Sequence, residues 1–332
     1  MMIMTGKKVI ISGTGSYVPD QVVTNDELEK CAPTNKAWIE SVLGIKERRR
    51  MARGECTSDM AAKAAVKALE MAEMKAEDID LIIVGTITPD RMVPSLATIV
   101  QRKIAAPKAA AFDLNAACAG FVFSLICAQQ FLKNDYFQNA LVIGADAMSV
   151  MTDYKDRTCA YYGDGAGAVV LKNAKSQNGI LSTYFASDGQ SKDMVTTFGG
   201  NAEYPPSYEV LDRRWHYLRM AGKEVGITAS EVIPHAIRRA MEEAAITVDD
   251  IAYLVPHQPN LSLLKKCASV LNIPEEKVVI TLDRYANASS ANIPLALDKI
   301  NREGKLKEGD KIVMATIGAG WTWGSAVIQW GQ

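Results

Sequence analysis

Two segments of the chain, about 170 residues apart, share one pattern of hydrophobic and polar positions. Residues 64–79 and 236–251 both have the apolar spacing of an amphipathic helix, and both end in an acidic turn. Apolar strands are predicted after these helices, over 80–85 in the first segment and over 252–256 in the second. Two further pairs of apolar strands keep the spacing: 9–12 with 180–183, and 141–144 with 312–315. The pattern therefore predicts one α/β unit that occurs twice.

The alternation of strands and helices predicts mostly parallel sheets with helices on both faces. Nearly continuous apolar strands such as 81–84 must be covered on both sides, so the duplicated unit predicts an α/β/α/β/α arrangement of five layers. A polar link at 172–179 places the division between an N-terminal half, 1–175, and a C-terminal half, 176–332. One long irregular insert, between Ser187 and Arg213, has the composition of a functional loop.

Cys118 lies among very small residues at a predicted turn from a strand to a helix. Residues 109–112 have the pattern of a buried strand end, and Phe121, Leu125 and Leu132 recur at helical spacing. The free amides and the positive end of a helix lower the pKa of a thiol, so Cys118 is predicted to be a reactive nucleophile. The alternative is a small buried hydrophobic residue, which is the commoner fate of a free cysteine.

His257 and Asn287 are the polar residues predicted to join it. His257 follows the strand predicted near 253–255, at the end where α/β proteins place ligands, although a structural histidine stays an alternative. Asn287 follows a strand predicted over 278–282, and its alternative is a helix cap or an Asx turn. In the repeat Asn287 takes roughly the place of Cys118, so both side chains are predicted to project into one cleft.

Composition limits the partners and cofactors. The 332 residues include 37 Lys and Arg against 38 Asp and Glu, a net charge of -1, so no overall field attracts nucleic acid or an anionic membrane. Six cysteines without CxxC pairs argue against a disulfide framework or a zinc site. No apolar run approaches the ~20 residues of a membrane span. We therefore expect a cytoplasmic protein without a metal, and the basic cluster 46–53 either faces solvent or contacts a phosphorylated ligand.

Three motifs make the chain recognisable: LNAACAGF around Cys118, LVPHQPN around His257 and TLDRYANASSANIP around Asn287. Together they resemble β-ketoacyl-acyl-carrier-protein synthase III, the initiating condensing enzyme of bacterial fatty-acid synthesis. GDGAGAVVL and the terminal WTWGSAVIQW resemble the same family, and the similarity extends over essentially the whole chain. The resemblance implies the thiolase fold, a duplicated α/β unit that forms homodimers.

The resemblance also implies a Cys-His-Asn triad. Cys118 would take an acyl group from acyl-CoA, acetyl-CoA in typical members, while the backbone amides of Cys118 and Ala319 hold the oxyanion. His257 and Asn287 would then donate hydrogen bonds to the thioester oxygen of a malonyl group as it loses carbon dioxide. The reaction implied needs no cofactor, and its partners would be a second subunit and an acyl carrier protein.

Residues for coenzyme A follow from the same resemblance. Trp38 and Arg157 would enclose the adenine, and Asn260 would lie near the pantetheine arm. The chain departs from the family at several positions, which leave the acyl-chain preference, the carrier surface and the details of coenzyme A binding open: Val42, Val93, Lys223, Gly226 and Ser262. Trp321 stands where the family usually has phenylalanine, and the sequence shows no consequence of this change.

Two other functions stay open. One is a ketosynthase or acyltransferase of secondary metabolism with the same fold, which would use a longer or unusual acyl primer. Simple acyl transfer forms no enolate and often has an acidic residue at the asparagine position, so Asn287 favours condensation. The other is a non-catalytic partner subunit in which Cys118 is only packed. A degradative thiolase would carry a second cysteine near the GAGWTWG turn, and none is there.

Overall fold

The computed structural model describes residues 8–190 and 193–331, and the following elements lie within them. The strands are β1 (Lys8–Tyr17), β2 (Gln21–Thr24), β3 (Glu47–Arg50), β4 (Leu81–Gly85), β5 (Ala110–Leu114), β6 (Asn139–Ala147), β7 (Asp164–Ala174), β8 (Gly179–Ser187), β9 (Val195–Thr196), β10 (Arg219–Met220), β11 (Ile251–Pro256), β12 (Lys311–Gly318) and β13 (Thr322–Gln329). The α-helices are α1 (Asn25–Glu29), α2 (Lys36–Trp38), α3 (Thr57–Met71), α4 (Leu96–Lys103), α5 (Gly120–Lys133), α6 (Tyr208–Asp212), α7 (Gly222–Ala244), α8 (Leu261–Leu271), α9 (Leu282–Tyr285) and α10 (Asn292–Arg302).

Two larger sheets form the framework. The first has the order β1-β7-β6-β4-β5 and the second the order β11-β12-β13-β8. β4 is parallel to β5 and β6, and β11 is parallel to β12, whereas the other neighbours are antiparallel. All strands except β7 in the first sheet and β13 in the second therefore point the same way, so the sheets are mostly parallel in strand direction, as predicted, but each contains one reversed strand that the sequence did not predict. No crossover α-helix joins β6 to β7 or β12 to β13 in the described chain, and a strand that returns without a crossover pairs antiparallel.

The sheets nevertheless repeat one plan, since β4, β6, β7 and β1 have the neighbours that β11, β12, β13 and β8 have. The counterpart of β5 is missing. At 278–282, where a strand was predicted, only an isolated bridge between Leu254 and Val278 forms. The buried Gln258 side chain donates to the carbonyl of Val279 at 3.0 Å and accepts from the amide of Thr281 at 3.0 Å. A side chain thus satisfies backbone groups that a neighbouring strand would otherwise pair.

Helices form the other three layers. α3 and α4 cover the outer face of the first sheet, α7 and α8 cover the outer face of the second, and α5 and α10 lie between the sheets. The central layer is apolar, with Phe121, Leu125 and Leu297 fully buried. Burying a side chain such as Phe121 contributes about 2–3 kcal/mol. The observed layers are those predicted, α/β/α/β/α.

The two repeated helices begin earlier than predicted. α3 begins at Thr57 rather than 64, where the carboxylate of Asp59 accepts from the amide of Cys56 at 2.9 Å and caps the first turn. α7 begins at Gly222 rather than 236 and contains Pro234, which imitates a helix start in the sequence. The first predicted helix ends at Met71, and residues 76–78 form a separate 3-10 turn.

The predicted division at 175/176 falls in the turn between β7 and β8, and the assignment of halves 1–175 and 176–332 stays a prediction; residues 1–7 and 332 lie outside the described chain. The predicted insert contains β9 and α6, and β9 pairs with β10 just beyond it. Its residues 191–192 also lie outside the described chain.

Candidate active site

A cavity of about 790 Å³, its open mouth included, brings together residues from both predicted halves. Cys118, His257 and Asn287 line it, and Asn260 and Ala319 lie in the same wall. Five predicted site residues that are distant in the sequence therefore share one space. Trp38 and Arg157 are not in its lining.

Cys118 lies in a 3-10 turn, Ala117–Ala119, which leads directly into α5. The turn is held by the hairpin of β12 and β13 from the second sheet. The Thr316 hydroxyl donates to the carbonyl of Cys118 at 3.1 Å, and the Thr322 hydroxyl donates to the carbonyl of Ala116 at 3.0 Å. A Cβ on Gly318 would lie 2.3 Å from the Ala116 oxygen, so only glycine permits this approach.

The thiol of Cys118 is not activated in the way that the sequence predicts. Burial raises its pKa to about 12, and the charge of Asp146 acts in the same direction. Its own backbone N–H and the nearby Ser289 hydroxyl work against this but have the smaller effect. The residue keeps some surface toward the cavity, although protein surrounds the sulfur elsewhere. The helix start predicted beneath the sulfur is present, but the expected low pKa was wrong because desolvation outweighs it.

His257 follows the end of β11 and is only 3% exposed. Its backbone amide donates to the carbonyl of Ala315 at 2.8 Å, which extends the β11–β12 pairing by one residue. Burial lowers the pKa of the imidazole to about 4. The neighbouring Asn292 side chain acts in the opposite direction but has the smaller effect, and it makes no hydrogen bond of good geometry to the Nδ1 atom of His257. His257 is therefore neutral at pH 7, and its Nδ1 atom has no hydrogen-bond partner of good geometry among the described residues.

Asn287 is fixed on both sides of its backbone by the first half. Its amide donates to the carbonyl of Tyr161 at 2.8 Å, and its carbonyl accepts from the amide of Gly163 at 3.1 Å. Its Oδ1 atom accepts from the amide of Ser289 at 2.8 Å in an Asx turn. Because the oxygen is engaged within the turn, the side-chain NH2 is the group left for another partner.

The turns of Cys118 and Asn287 occupy equivalent places in the repeat. The pairing of individual residues, however, is shifted by three residues from the predicted one. Ala117 and Ser289 both have positive φ, 47° and 51°, and each opens a 3-10 turn before a central helix. The Oδ1 atom of Asn115 accepts from the amide of Ala117 at 3.2 Å, as that of Asn287 does from Ser289. Asn287 thus corresponds to Asn115, and Cys118 corresponds to Ser290. Both predicted residues still line one cavity because the two turns meet there.

Ala319 follows the last residue of β12 and is half-buried in the cavity wall. The adjoining turn is fixed by Trp321 and Asp188, whose amides each donate to the other's carbonyl at 2.7 and 2.8 Å. The Trp321 ring is 3% exposed and also lines the cavity.

Trp38 and Arg157 lie against each other, as their shared assignment to one ligand requires. The guanidinium carbon of Arg157 is 3.6 Å from the centre of the Trp38 ring, which is the geometry of a cation–π contact. Trp38 also meets the edge of Tyr161, which lines the cavity. Asn260 caps α8 by accepting from the amide of Leu263 at 2.9 Å, which leaves its NH2 available in the cavity wall.

The basic cluster 46–53 is only partly available to a ligand. Arg48 is 4% exposed and donates to the Asn25 side chain at 2.8 Å and to the carbonyls of Val23 and Ala160 at 3.2 Å. Burial lowers its pKa to about 10, so it is charged at pH 7 but serves the packing of β2 and β3. The phosphate-binding interpretation of the cluster does not hold for Arg48, since its donors are directed into the protein.

The remaining wall of the cavity was not identified from the sequence. It is apolar and includes Ile87, Met148, Leu218, Met220 and Val225. Leu218 and Met220 border the long insert, so no local motif links them to Cys118. Gly226 lines the wall too, and a Cβ there would meet no atom within 4 Å. The only sequence signal was its glycine where the resembled family has phenylalanine.

Two searches of the described residues gave negative results. No group of three or more His, Cys, Asp or Glu side chains in 8–190 and 193–331 could hold a metal ion. No helix in those ranges is long and apolar enough to cross a membrane.

Comparison with known proteins gives consistent matches. Residues 112–189 match the family model of 3-oxoacyl-[acyl-carrier-protein] synthase III, and residues 241–330 match the model of its C-terminal region. The β-ketoacyl-[acyl-carrier-protein] synthase III of Clostridium acetobutylicum is 45% identical over 323 residues, 97% of this chain and 98% of that protein.

Solved structures agree. The 3-oxoacyl-[acyl-carrier-protein] synthase III of Aquifex aeolicus superposes with a TM-score of 0.90 at 38% identity, over 98% of this chain and 100% of that one. The priming β-ketosynthase of the R1128 polyketide pathway has a TM-score of 0.90 at 30% identity, over 99% of this chain and 98% of that one. The predicted thiolase fold is confirmed, and the chain belongs to the β-ketoacyl-acyl-carrier-protein synthase III family of condensing enzymes.

Proposed function

We propose that this protein begins fatty-acid synthesis by a two-step condensation, with an acyl-CoA as the first substrate and a malonyl thioester on acyl carrier protein as the second. One observation carries the proposal: a thiol, a neutral imidazole and an amide NH2 line the same largely apolar cavity. Membership of the synthase III family supports the same reaction.

In the first step Cys118 takes the acyl group. The sulfur forms a bond to the carbonyl carbon of acyl-CoA, the carbon–sulfur bond to coenzyme A breaks, and the thiol proton leaves with the coenzyme A sulfur. Because burial raises the pKa of the free thiol, little thiolate is present before acyl-CoA binds. The amides of Cys118 and Ala319 are the proposed donors to the oxyanion.

In the second step His257 and Asn287 stabilise an enolate. As the malonyl thioester loses carbon dioxide, negative charge develops on its carbonyl oxygen. The carbanion then forms a bond to the acyl carbon, the carbon–sulfur bond to Cys118 breaks, and the released sulfur takes up a proton from solvent. A neutral His257 has one N–H to donate, and the engaged oxygen of Asn287 leaves its NH2 to donate. Neither group brings a negative charge that would repel the enolate.

Trp38, Arg157 and Asn260 are proposed to bind coenzyme A. The face of Trp38 and the guanidinium of Arg157 are the surfaces on which an adenine stacks, but at 3.6 Å they now contact each other. The adenine must therefore separate them. The free NH2 of Asn260 can donate to a pantetheine carbonyl. No metal or redox cofactor is part of the proposal, and we class the enzyme as an acyltransferase.

A homodimer is proposed from the free edge of the first sheet. β5 ends the sheet order and pairs only with β4 among the described strands. Phe112 on β5 is 37% exposed and touches Phe131, while Met92 and Val93 are 74% and 78% exposed. Asp113 of β5 accepts from the amides of Leu96 and Ala97, which keeps the Met92 loop at this edge. A second copy would cover these apolar surfaces.

The cytoplasm is the proposed location. All six cysteines are free, as in proteins kept in a reducing compartment.

A second candidate is priming in a polyketide or related pathway with a longer or unusual acyl group. Two observations favour it: the open wall at Gly226, and the fold shared with a polyketide priming ketosynthase. Val93 is exposed and lies outside the cavity lining of its own chain. The family resemblance implies that a large residue of the partner subunit often closes the acyl pocket at this position, so the smaller Val93 would leave more room there.

Mass spectrometry of the product tests the proposal. The enzyme is incubated with a panel of acyl-CoA primers and with either malonyl-CoA or malonyl-carrier protein, and Cys118→Ala serves as the control. We expect a β-ketoacyl carrier protein and one carbon dioxide per product. A parallel incubation contains an added alcohol or amine; an ester or amide of the primer formed there without loss of carbon dioxide, with no β-ketoacyl product, would instead support acyl transfer and overturn the condensation.

A further inference from the structure

Asp146 is a buried carboxylate that the proposed reaction does not use. It lies at the end of β6, is 0% exposed and pairs with no cation among the described residues. An isolated buried carboxylate is costly unless hydrogen bonds compensate its lost hydration. The donors that surround it therefore indicate what it holds in place.

Six contacts converge on this carboxylate from two directions. Its Oδ1 atom accepts from the amides of Ile87 and Thr88, at 2.8 and 3.2 Å, and from the hydroxyls of Thr86 and Thr88, at 3.1 and 2.9 Å. Its Oδ2 atom accepts from the amide and hydroxyl of Ser290, at 3.1 and 2.7 Å. Asp146 thus joins the loop after β4, where Ile87 lines the cavity, to the turn that follows Asn287.

The turn of Asn287 has little freedom to move away from this carboxylate. Ser290 lies next to Ser289, whose amide is held by the Asn287 side chain. The Ser290 hydroxyl also lies 2.7 Å from the carbonyl oxygen of Gly85. The backbone of Ser290 is packed as tightly, since a Cβ on Gly144 would come within 2.3 Å of the Ser290 carbonyl oxygen. The first half therefore sets the position of the asparagine that the second half carries.

The repeat contains the reverse contact. Ser290 is the counterpart of Cys118, and β12 is the counterpart of β6. Near the end of β12, the Thr316 hydroxyl donates to the carbonyl of Cys118 at 3.1 Å. The middle strand of each half therefore holds the active-site turn of the other half: β6 holds the turn of Asn287, and β12 holds the turn of Cys118.

We propose that Asp146 is a positioning residue for enolate formation, which acts through Ser290 to place the Asn287 side chain, whereas Thr316 positions Cys118 for acylation. This assignment rests on the proposed function. A carboxylate fits residue 146 because backbone amides donate to both of its oxygens, those of Ile87 and Thr88 to Oδ1 and that of Ser290 to Oδ2; an amide of the same shape would turn an NH2 toward one of these donors.

Separate measurement of the two half-reactions tests the assignment. Acylation is followed by intact mass after rapid mixing with acetyl-CoA, and decarboxylation by carbon dioxide release from malonyl-carrier protein. For Asp146→Asn we expect decarboxylation to fall by about 10–100-fold, as for a misplaced catalytic group, while acylation is not slowed, because loss of the Asp146 charge lowers the pKa of the Cys118 thiol. For Thr316→Val we expect the reverse, because the turn of Cys118 loses its brace.

Ser290→Ala is the second variant and tests the same contact if Asp146→Asn does not fold. It removes one hydroxyl donor and keeps the backbone donor, so its loss should also be confined to decarboxylation and be smaller. The Asp146→Asn and Ser290→Ala double variant should lose less than the product of the two single losses, since both act on one contact.

General loss of packing would lower both half-reactions together, so the division between them is the informative result. Equal losses in both reactions for Asp146→Asn or Ser290→Ala, or unchanged decarboxylation, would overturn the positioning role. A wild-type enzyme that acylates at another residue, or does not decarboxylate malonyl-carrier protein at all, would instead contradict the proposed function itself.

Discussion

The thiol of Cys118 is protonated in the free enzyme, because burial raises its pKa to about 12. A thiol with a raised pKa has little thiolate at neutral pH. As long as the pH stays below that pKa, each unit by which the pH is raised increases the thiolate fraction about tenfold. Besides Cys118, the titratable side chains that line the cavity are His257, Tyr161 and Tyr162, and none of them supplies a cation at pH 7.

We therefore predict that alkylation of Cys118 by iodoacetamide rises continuously between pH 7 and 9, about tenfold per unit, without a plateau. Rates are measured by mass spectrometry of the Cys118 peptide, with the exposed Cys31 as an internal comparison. A plateau near neutral pH would show a stabilised thiolate and contradict this description of the site.

Asn287 offers a sharper test than a truncation alone. In Asn287→Asp the acceptor of the Ser289 amide is retained, so the turn is expected to keep its shape while the NH2 donor is lost. We predict that Cys118 still acylates in Asn287→Asp and Asn287→Ala, while decarboxylation falls by about 10²–10³ in each. Radiolabelled carbon dioxide release gives the rate. An Asn287→Asp enzyme with wild-type decarboxylation would exclude the donor role.

At the level of elements, the β12–β13 hairpin reaches from the second sheet to the turn of Cys118. The closest approach is at Gly318, where an added Cβ would lie 2.3 Å from the Ala116 oxygen and 2.9 Å from the Ala119 amide nitrogen. Both neighbours are backbone atoms, so the turn of Cys118 would have to shift.

Gly318→Ala is accordingly predicted to destabilise the protein by about 1–3 kcal/mol and to slow acylation of Cys118. Gly189→Ala is the matched control, because a Cβ there meets no atom within 4 Å. Urea unfolding and the acylation time course give the two quantities. Equal behaviour of the two variants would mean that the hairpin does not position the cysteine.

The repeated pattern predicted most of the elements around this site, since β4, β6, β11 and β12 contain the predicted apolar runs. It failed at 278–282, where Gln258 supplies the hydrogen bonds of a missing strand, a contact between residues far apart in the sequence. Cys118, His257 and Asn287 were recognisable by their motifs. Asp146 was not, because an acidic residue after an apolar strand shows nothing of the donors that fold around it.

For the molecule as a whole, active-site turns associated with the two similar sheets meet at one cavity. A strand of the first sheet holds the turn of Asn287, and a strand of the second sheet holds the turn of Cys118. The same arrangement leaves β5 as an edge strand, which pairs with β4 on one side and with no described strand on the other. The second sheet has no counterpart of β5, so only one such edge is available for a second subunit at this position of the repeat.

We predict a dimer through this edge. Phe112→Arg puts a charge on the exposed apolar surface and should shift sedimentation toward the monomer, with loss of activity if the partner closes the acyl pocket. Val270→Arg is the matched control, because Val270 is 45% exposed and lies on α8, which covers the outer face of the second sheet. A Phe112→Arg protein that remains a stable dimer would place the interface elsewhere.

The central claim is that Cys118 carries the acyl group between the two half-reactions. Intact mass measurement after incubation with acetyl-CoA alone, followed by peptide mapping, tests it most directly. We predict one acetyl group per chain, on Cys118, absent in Cys118→Ala and discharged when malonyl-carrier protein is added. Acetylation at another residue, or retention of the acetyl group after malonyl-carrier protein is added, would contradict the account.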